Sequence, residues 1–73
     1  MQHIAHIYDP APINQAIEEQ DLTNERLAVK AGLAARTVSD VRQAKDSLRL
    51  QTLFKVTEAL GFEMEIHFKK KPA

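Results

Sequence analysis

The stretch LAVKAGLAARTVSDVRQ, residues 27–43, most restricts what this chain can fold into. Helical spacing runs up to Ala31, meets Gly32, and resumes at once. A glycine there stops a helix because it tolerates the left-handed conformation of a sharp helix exit. Leu33 then falls in the turn and is expected to be buried. Leu27, Ala28 and Ala31 share one face of the earlier helix, and the small alanines let a second helix cross it closely. The later helix carries short or polar residues, Ala35, Arg36, Thr37 and Ser39, where a surface helix commonly carries long Glu and Lys. A helix with so short an outer face fits inside a groove.

The flanking segments supply further helices. Asp9-Pro10 has the composition of a helix start, with Asp as the cap and Pro in the first helical position. Pro12 still lies in the first turn, where its missing N–H costs little. Ile13, Ala16 and Ile17 then follow at helical spacing, so a first helix runs to about residue 20. Thr23 caps the second helix, and the third spans roughly 34–43. After the AKDS loop a fourth helix starts near Arg49 or Leu50, with Leu50, Leu53, Phe54, Val56, Thr57 and Leu60 in helical pattern, and Gly61 ends it.

Beyond Gly61 the period changes. In FEMEIHF, Phe62, Met64, Ile66 and Phe68 alternate with Glu63, Glu65 and His67, which is the signature of a strand with one buried face. One strand cannot form a sheet. Its partner is either the N-terminal HIAHIY or the same strand of a second copy. The second choice is preferred, because an unpaired edge with four large apolar residues would invite aggregation. The expected architecture is mainly α: a single domain over residues 1–73 with an N-terminal arm (1–8), a compact four-helix bundle (9–61) and a β-strand (62–69) that pairs across a homodimer through Phe62, Met64, Ile66 and Phe68.

Composition bounds the function. At 73 residues without cysteine, the chain holds one small aliphatic core and neither disulfides nor thiolate metal sites. No apolar run approaches the ~20 residues of a membrane span, and no signal-peptide pattern is present, so a soluble cytoplasmic protein is expected. His3 and His6 could form a metal pair, but no third ligand is evident, and no metal or cofactor is assigned. His67 is expected as an exposed strand residue. There is no nucleophile–base pair, carboxylate dyad or phosphate loop, so the chain is not read as an enzyme. The net charge is zero, but its distribution is uneven. Residues 1–22 contain Asp9, Glu18, Glu19 and Asp21 and no Lys or Arg. Residues 23–49 contain Arg26, Lys30, Arg36, Arg42, Lys45 and Arg49 against three acids. The basic charge therefore centres on the helix–glycine–helix segment.

At about 100° per residue, Ala34, Val38 and Val41 lie on the inner side of the third helix, Arg36, Ser39, Asp40 and Gln43 point away, and Ala35 lies at the edge. In a DNA major groove about 12 Å wide, Ala35 and Ser39 can approach bases or a thymine methyl. Arg36 is long enough to bridge guanine O6 and N7. Thr37 and Asn24 suit phosphate oxygens, and Lys45 and Arg49 could grip the flanking backbone. Asp40 either accepts from a cytosine amine or forms a surface ion pair with Arg36 four residues earlier. Arg42 faces partly inward, so a structural role and a phosphate contact are both open. Arg26 and Lys30 are taken as solvated charges.

Residues 22–61 resemble the helix-turn-helix of the Xre family, the phage-repressor and Cro class. The resemblance is carried by Leu22-Thr23, Leu27-Ala28, Ala31-Gly32-Leu33, Thr37-Val38-Ser39, Thr52-Leu53, Lys55-Val56 and Ala59-Leu60-Gly61. It implies a helical bundle that docks its third helix in the major groove and holds DNA through Thr23, Asn24, Ala35, Arg36, Thr37, Ser39, Asp40, Gln43, Lys45 and Arg49. Two departures stand out: Asn24 where the family often has Gln, and Ala34-Ala35 where it often has Ser followed by a long polar residue. The C-terminal strand is similar to those of Cro-like proteins and HipB-type antitoxins. The implied function is a homodimeric, sequence-specific transcriptional regulator of repressor type on an inverted-repeat operator. The alternatives are an antitoxin that also binds a protein toxin, and a degenerate helix-turn-helix that only dimerises.

Overall fold

Four helices follow one another along the chain: α1 (Ala11–Glu19), α2 (Asn24–Ala31), α3 (Ala35–Arg42) and α4 (Leu50–Ala59). They are seen in a computed structural model that describes residues 8–45 and 47–72. Most of the expected N-terminal arm, with His3 and His6, lies outside the described residues.

Local features set the starts of α1 and α2 and the ends of all four helices. Pro10 already has helical torsions (φ −79°, ψ −6°), and Asp9 Oδ1 accepts the Ala11 N–H at 3.0 Å. The cap position falls on Pro10, one residue later than expected, and the Asp9 carboxylate satisfies the first N–H of α1 from just ahead of it. Thr23 is extended (φ −91°, ψ 164°), and its Oγ1 accepts the Arg26 N–H at 3.1 Å, which caps α2. The helices share one kind of exit, in which a left-handed residue lets two backbone N–H groups fold back onto the last carbonyls. After α2, Gly32 (φ 72°) donates to Val29 O at 3.3 Å and Leu33 to Ala28 O at 2.8 Å. After α4, Gly61 (φ 85°) donates to Glu58 O at 3.0 Å and Phe62 to Thr57 O at 2.8 Å. The other two exits use residues with a Cβ in the same conformation: Asp21 (φ 55°) after α1 and Ala44 (φ 53°) after α3. Leu22 then donates to Ile17 O at 3.0 Å and Lys45 to Asp40 O at 3.2 Å.

The core is aliphatic. Ile17, Leu27, Val38, Val41 and Val56 are the largest fully buried side chains, one or two from each helix. Burying each contributes about 1.5–3 kcal/mol relative to exposure. Small Ala28, at 3% exposure, lets α3 approach α2 closely. Tyr8, Leu22, Leu33, Leu48 and Leu53 pack around the edge of the core. The Gln20 side-chain amide donates to Leu60 O at 3.0 Å and fastens the end of α1 to the end of α4.

Two expectations are adjusted. Ala34 is exposed rather than inward, because its extended torsions (φ −84°, ψ 150°) place it before the helix, where the wheel does not apply. Residues 62–72 form neither helix nor strand, and residues 63–72 make no backbone–backbone hydrogen bond with another described residue. A β-ladder needs a second strand, and none is present within the described residues of one chain. Leu50, Phe54, Phe62, Ile66 and Phe68 are exposed.

Candidate nucleic-acid interface

The turn between α2 and α3 sets the site. Gly32 reverses the chain, half-buried Leu33 packs against the core from the turn, and Val38 and Val41 anchor the inner face of α3. That fixes the azimuth of α3 and turns Arg36 and Gln43 fully outward, with Thr37, Ser39 and Asp40 half-exposed beside them. Ala35 is half-buried against the core, so the exposed methyl at the start of α3 is that of Ala34.

Arg36 and Asp40 do not pair. Asp40 Oδ1 lies 3.5 Å from Lys45 Nζ, and no described carboxylate is within ion-pair distance of Arg36. The guanidinium stays on the outer face as a fork without an ion-pair partner among the described residues. Gln43 Nε2 donates to Ser39 Oγ at 3.1 Å, one turn apart on the same face. Thr23 caps α2 and remains exposed, and Arg49 is exposed just before α4. Thr23, Asn24 and the outward residues of α3 therefore come from adjoining elements of one helix-turn-helix unit.

Arg42 has a defined place. Its Nε donates to Asn14 Oδ1 at 2.6 Å and its Nη1 to Asn24 Oδ1 at 2.8 Å, while Asn14 Nδ2 donates to the Arg42 carbonyl at 3.1 Å. Asn24, expected to suit phosphate oxygens, thus has its oxygen engaged and keeps its NH2 donors. Nothing in the local spacing signals this network, since its partners lie 28 and 18 residues away. Tyr8 is a second unforeseen anchor: its hydroxyl donates to the Val41 carbonyl, and burial raises its pKa from the ordinary value of 10.0. Among the described residues no cluster of His, Asp or Glu is arranged to hold a metal ion, and no helix is long and apolar enough to cross a membrane.

Short helices with a glycine-turned pair and an outward basic fork define a helix-turn-helix protein. The family model for helix-turn-helix proteins matches residues 13–66, and the chain belongs to this family, of the Xre type. The chain is also similar to HipB, as seen in the solved structure of a HipA-HipB-O2-O3 complex, at 26% identity and a TM-score of 0.71, covering 96% of this chain and 100% of that one. No curated protein gave a significant match. Family and fold place the chain among non-enzymatic DNA-binding proteins.

Proposed function

We propose that the protein is a sequence-specific transcriptional regulator of repressor type that acts as a homodimer, with α3 in the major groove of an inverted-repeat operator. Arg36 carries this proposal: it is exposed on the outer face of α3, has no ion-pair partner among the described residues, and sits over a core that fixes the helix from behind. An arginine in that position suits bidentate contact with guanine. Ser39, Thr37, Gln43 and Ala35 line the same helix, with Asp40 beside them. Thr23, Asn24, Lys45 and Arg49 supply the phosphate contacts. The backbone of residues 63–72, which has no backbone partner among the described residues, and the exposed side chains of Phe62, Ile66 and Phe68, with Met64 half-buried, support pairing with the same segment of a second copy. Half-sites would then lie about one helical turn apart.

A second function is favoured by the likeness to a chain of the HipA-HipB-O2-O3 assembly: an antitoxin that binds a protein toxin and represses its own operon. Both functions require DNA binding. The test is fluorescence anisotropy with duplex DNA from upstream of the gene and a scrambled control, at low and near-physiological salt. Tight, salt-sensitive preference for the native fragment is expected. Equal, weak binding to both would leave dimerisation or a protein partner as the function.

A further inference from the structure

The guanidinium of Arg42 is held by two neutral amide oxygens, those of Asn14 and Asn24, and by no carboxylate among the described residues. Asn14 also returns a hydrogen bond to the Arg42 carbonyl at 3.1 Å. One α1 amide therefore grips both the side chain and the backbone at the end of α3. From that fixed base, Nη1 reaches Asn24 Oδ1 at the first residue of α2.

A guanidinium can only donate, so it selects which end of the Asn24 amide it meets. With Oδ1 turned toward Arg42, the Nδ2 group is directed away from it. We propose that Arg42 is a positioning residue for DNA binding: it orients the Asn24 amide with its donors toward a DNA phosphate, and Asn14 holds Arg42 in place to do so. Neutral acceptors suit this task. A carboxylate in either place would cancel the cation beside a phosphate site, whereas two amides leave its charge intact. Thr23 Oγ1 takes the Arg26 N–H, so the N–H groups of Asn24 and Glu25 lead the same helix end without an intrahelical acceptor.

This role exists only if the protein binds DNA as proposed above, and the test separates the two failures. DNA affinity and its salt slope are measured for wild type, Arg42→Met, Asn24→Ala and the double variant, with folding checked by circular dichroism melting. Arg42→Met keeps the aliphatic stem and removes the donors. Arg42→Met in the wild-type background should weaken binding about tenfold, and in the Asn24→Ala background by no more than about twofold, because coupled partners give strongly non-additive cycles. An equal loss in both backgrounds, or a lowered melting temperature with unchanged affinity, would overturn the positioning role. Should Arg42→Met be unfolded at the assay temperature, Arg42→Lys carries the same cycle, since a single ammonium cannot reproduce the two-pronged contact. Wild-type protein that binds no DNA selectively would overturn the proposed function itself, and this role with it.

Discussion

Lys45 is tied to Asp40 twice: its backbone N–H donates to the Asp40 carbonyl at 3.2 Å, and its ammonium lies 3.5 Å from Asp40 Oδ1. The left-handed Ala44 between α3 and Lys45 folds the chain back and brings the pair together. Helical spacing alone sets Asp40 against Arg36, yet the helix exit delivers a different cation. The pair is solvent-facing and worth little to stability, about 0–1 kcal/mol. Its effect on DNA is larger, because a carboxylate stands beside a cation placed for phosphate. Asp40→Asn should tighten binding to all sequences a few-fold and steepen the salt slope, because Lys45 then meets its phosphate without a competing carboxylate beside it. If binding instead weakens at a single base pair, Asp40 accepts from a cytosine and Lys45 is not being released.

Arg36 should behave in the opposite manner. Arg36→Ala is expected to cost about 1–3 kcal/mol of binding and to relax preference at one base pair of each half-site. Lys45→Ala and Arg49→Ala should weaken native and scrambled duplexes alike. Binding-site selection with randomised duplexes separates the two classes. An unchanged consensus in Arg36→Ala would remove this residue from base recognition.

The parts visible in the amino-acid pattern were those with local causes. Thr23 caps α2, Gly32 turns the chain, and Val38 and Val41 face inward because each feature is decided within a turn or two of helix. Ala34 escaped because a wheel assumes helical torsions that an extended cap residue does not have. The Arg42 network and the Tyr8 anchor escaped because their partners are brought together by the fold from 18 to 33 residues away. Among outward-facing residues, type suggested function, while the engagement of Asn24 and Asp40 depended on neighbours from other elements or from beyond the helix end.

Tyr8 predicts alkaline behaviour. Burial raises its pKa, so the folded protein holds the phenolic proton to higher pH than the unfolded chain, whose value is near 10.0. The unfolded state therefore releases its proton first. The stabilisation is fully present below that value and is lost as pH rises from it through the folded pKa. Tyr8→Phe also removes the hydrogen bond to the Val41 carbonyl and should cost about 0.5–1.5 kcal/mol near neutral pH. Denaturant melts at rising pH should show this difference shrinking above the ordinary tyrosine range. A constant difference would mean that the hydroxyl titrates alike in both states.

Asp21 is a place where the chain can be stabilised. It is exposed, left-handed at φ 55°, and sits where the negative end of the α1 dipole disfavours a carboxylate. Asp21→Gly should keep the exit bond from Leu22 to Ile17, relieve the Cβ clash and remove the charge, for a gain of about 0.5–1 kcal/mol. Gly32→Ala is the reverse experiment. A Cβ there would meet no neighbour within 4 Å, so its cost is purely torsional, about 1–2 kcal/mol. Equal stabilities for wild type and Asp21→Gly would show that the aspartate side chain compensates its own strain.

The C-terminal segment tests the assembly. Met64, Ile66 and Phe68 line an open groove of roughly 440 Å³ with Tyr8, Leu50 and Leu53, and Phe68 is 94% exposed. Burying such a surface in a second copy would remove large apolar side chains from water and give residues 63–72, whose backbone has no partner among the described residues, a ladder partner. Ile66→Glu would set a charge in the middle of that surface on each protomer, and the two charges would face one another across a two-fold axis. Sedimentation is expected to show a dimeric wild type and a monomeric Ile66→Glu. DNA affinity should fall sharply, because each half-site must be bound alone, while circular dichroism retains the helical signal of α1 to α4. An Ile66→Glu protein that remains dimeric would place the interface on another face, and the exposed Leu50 and Phe54 of α4 would be the next residues to change.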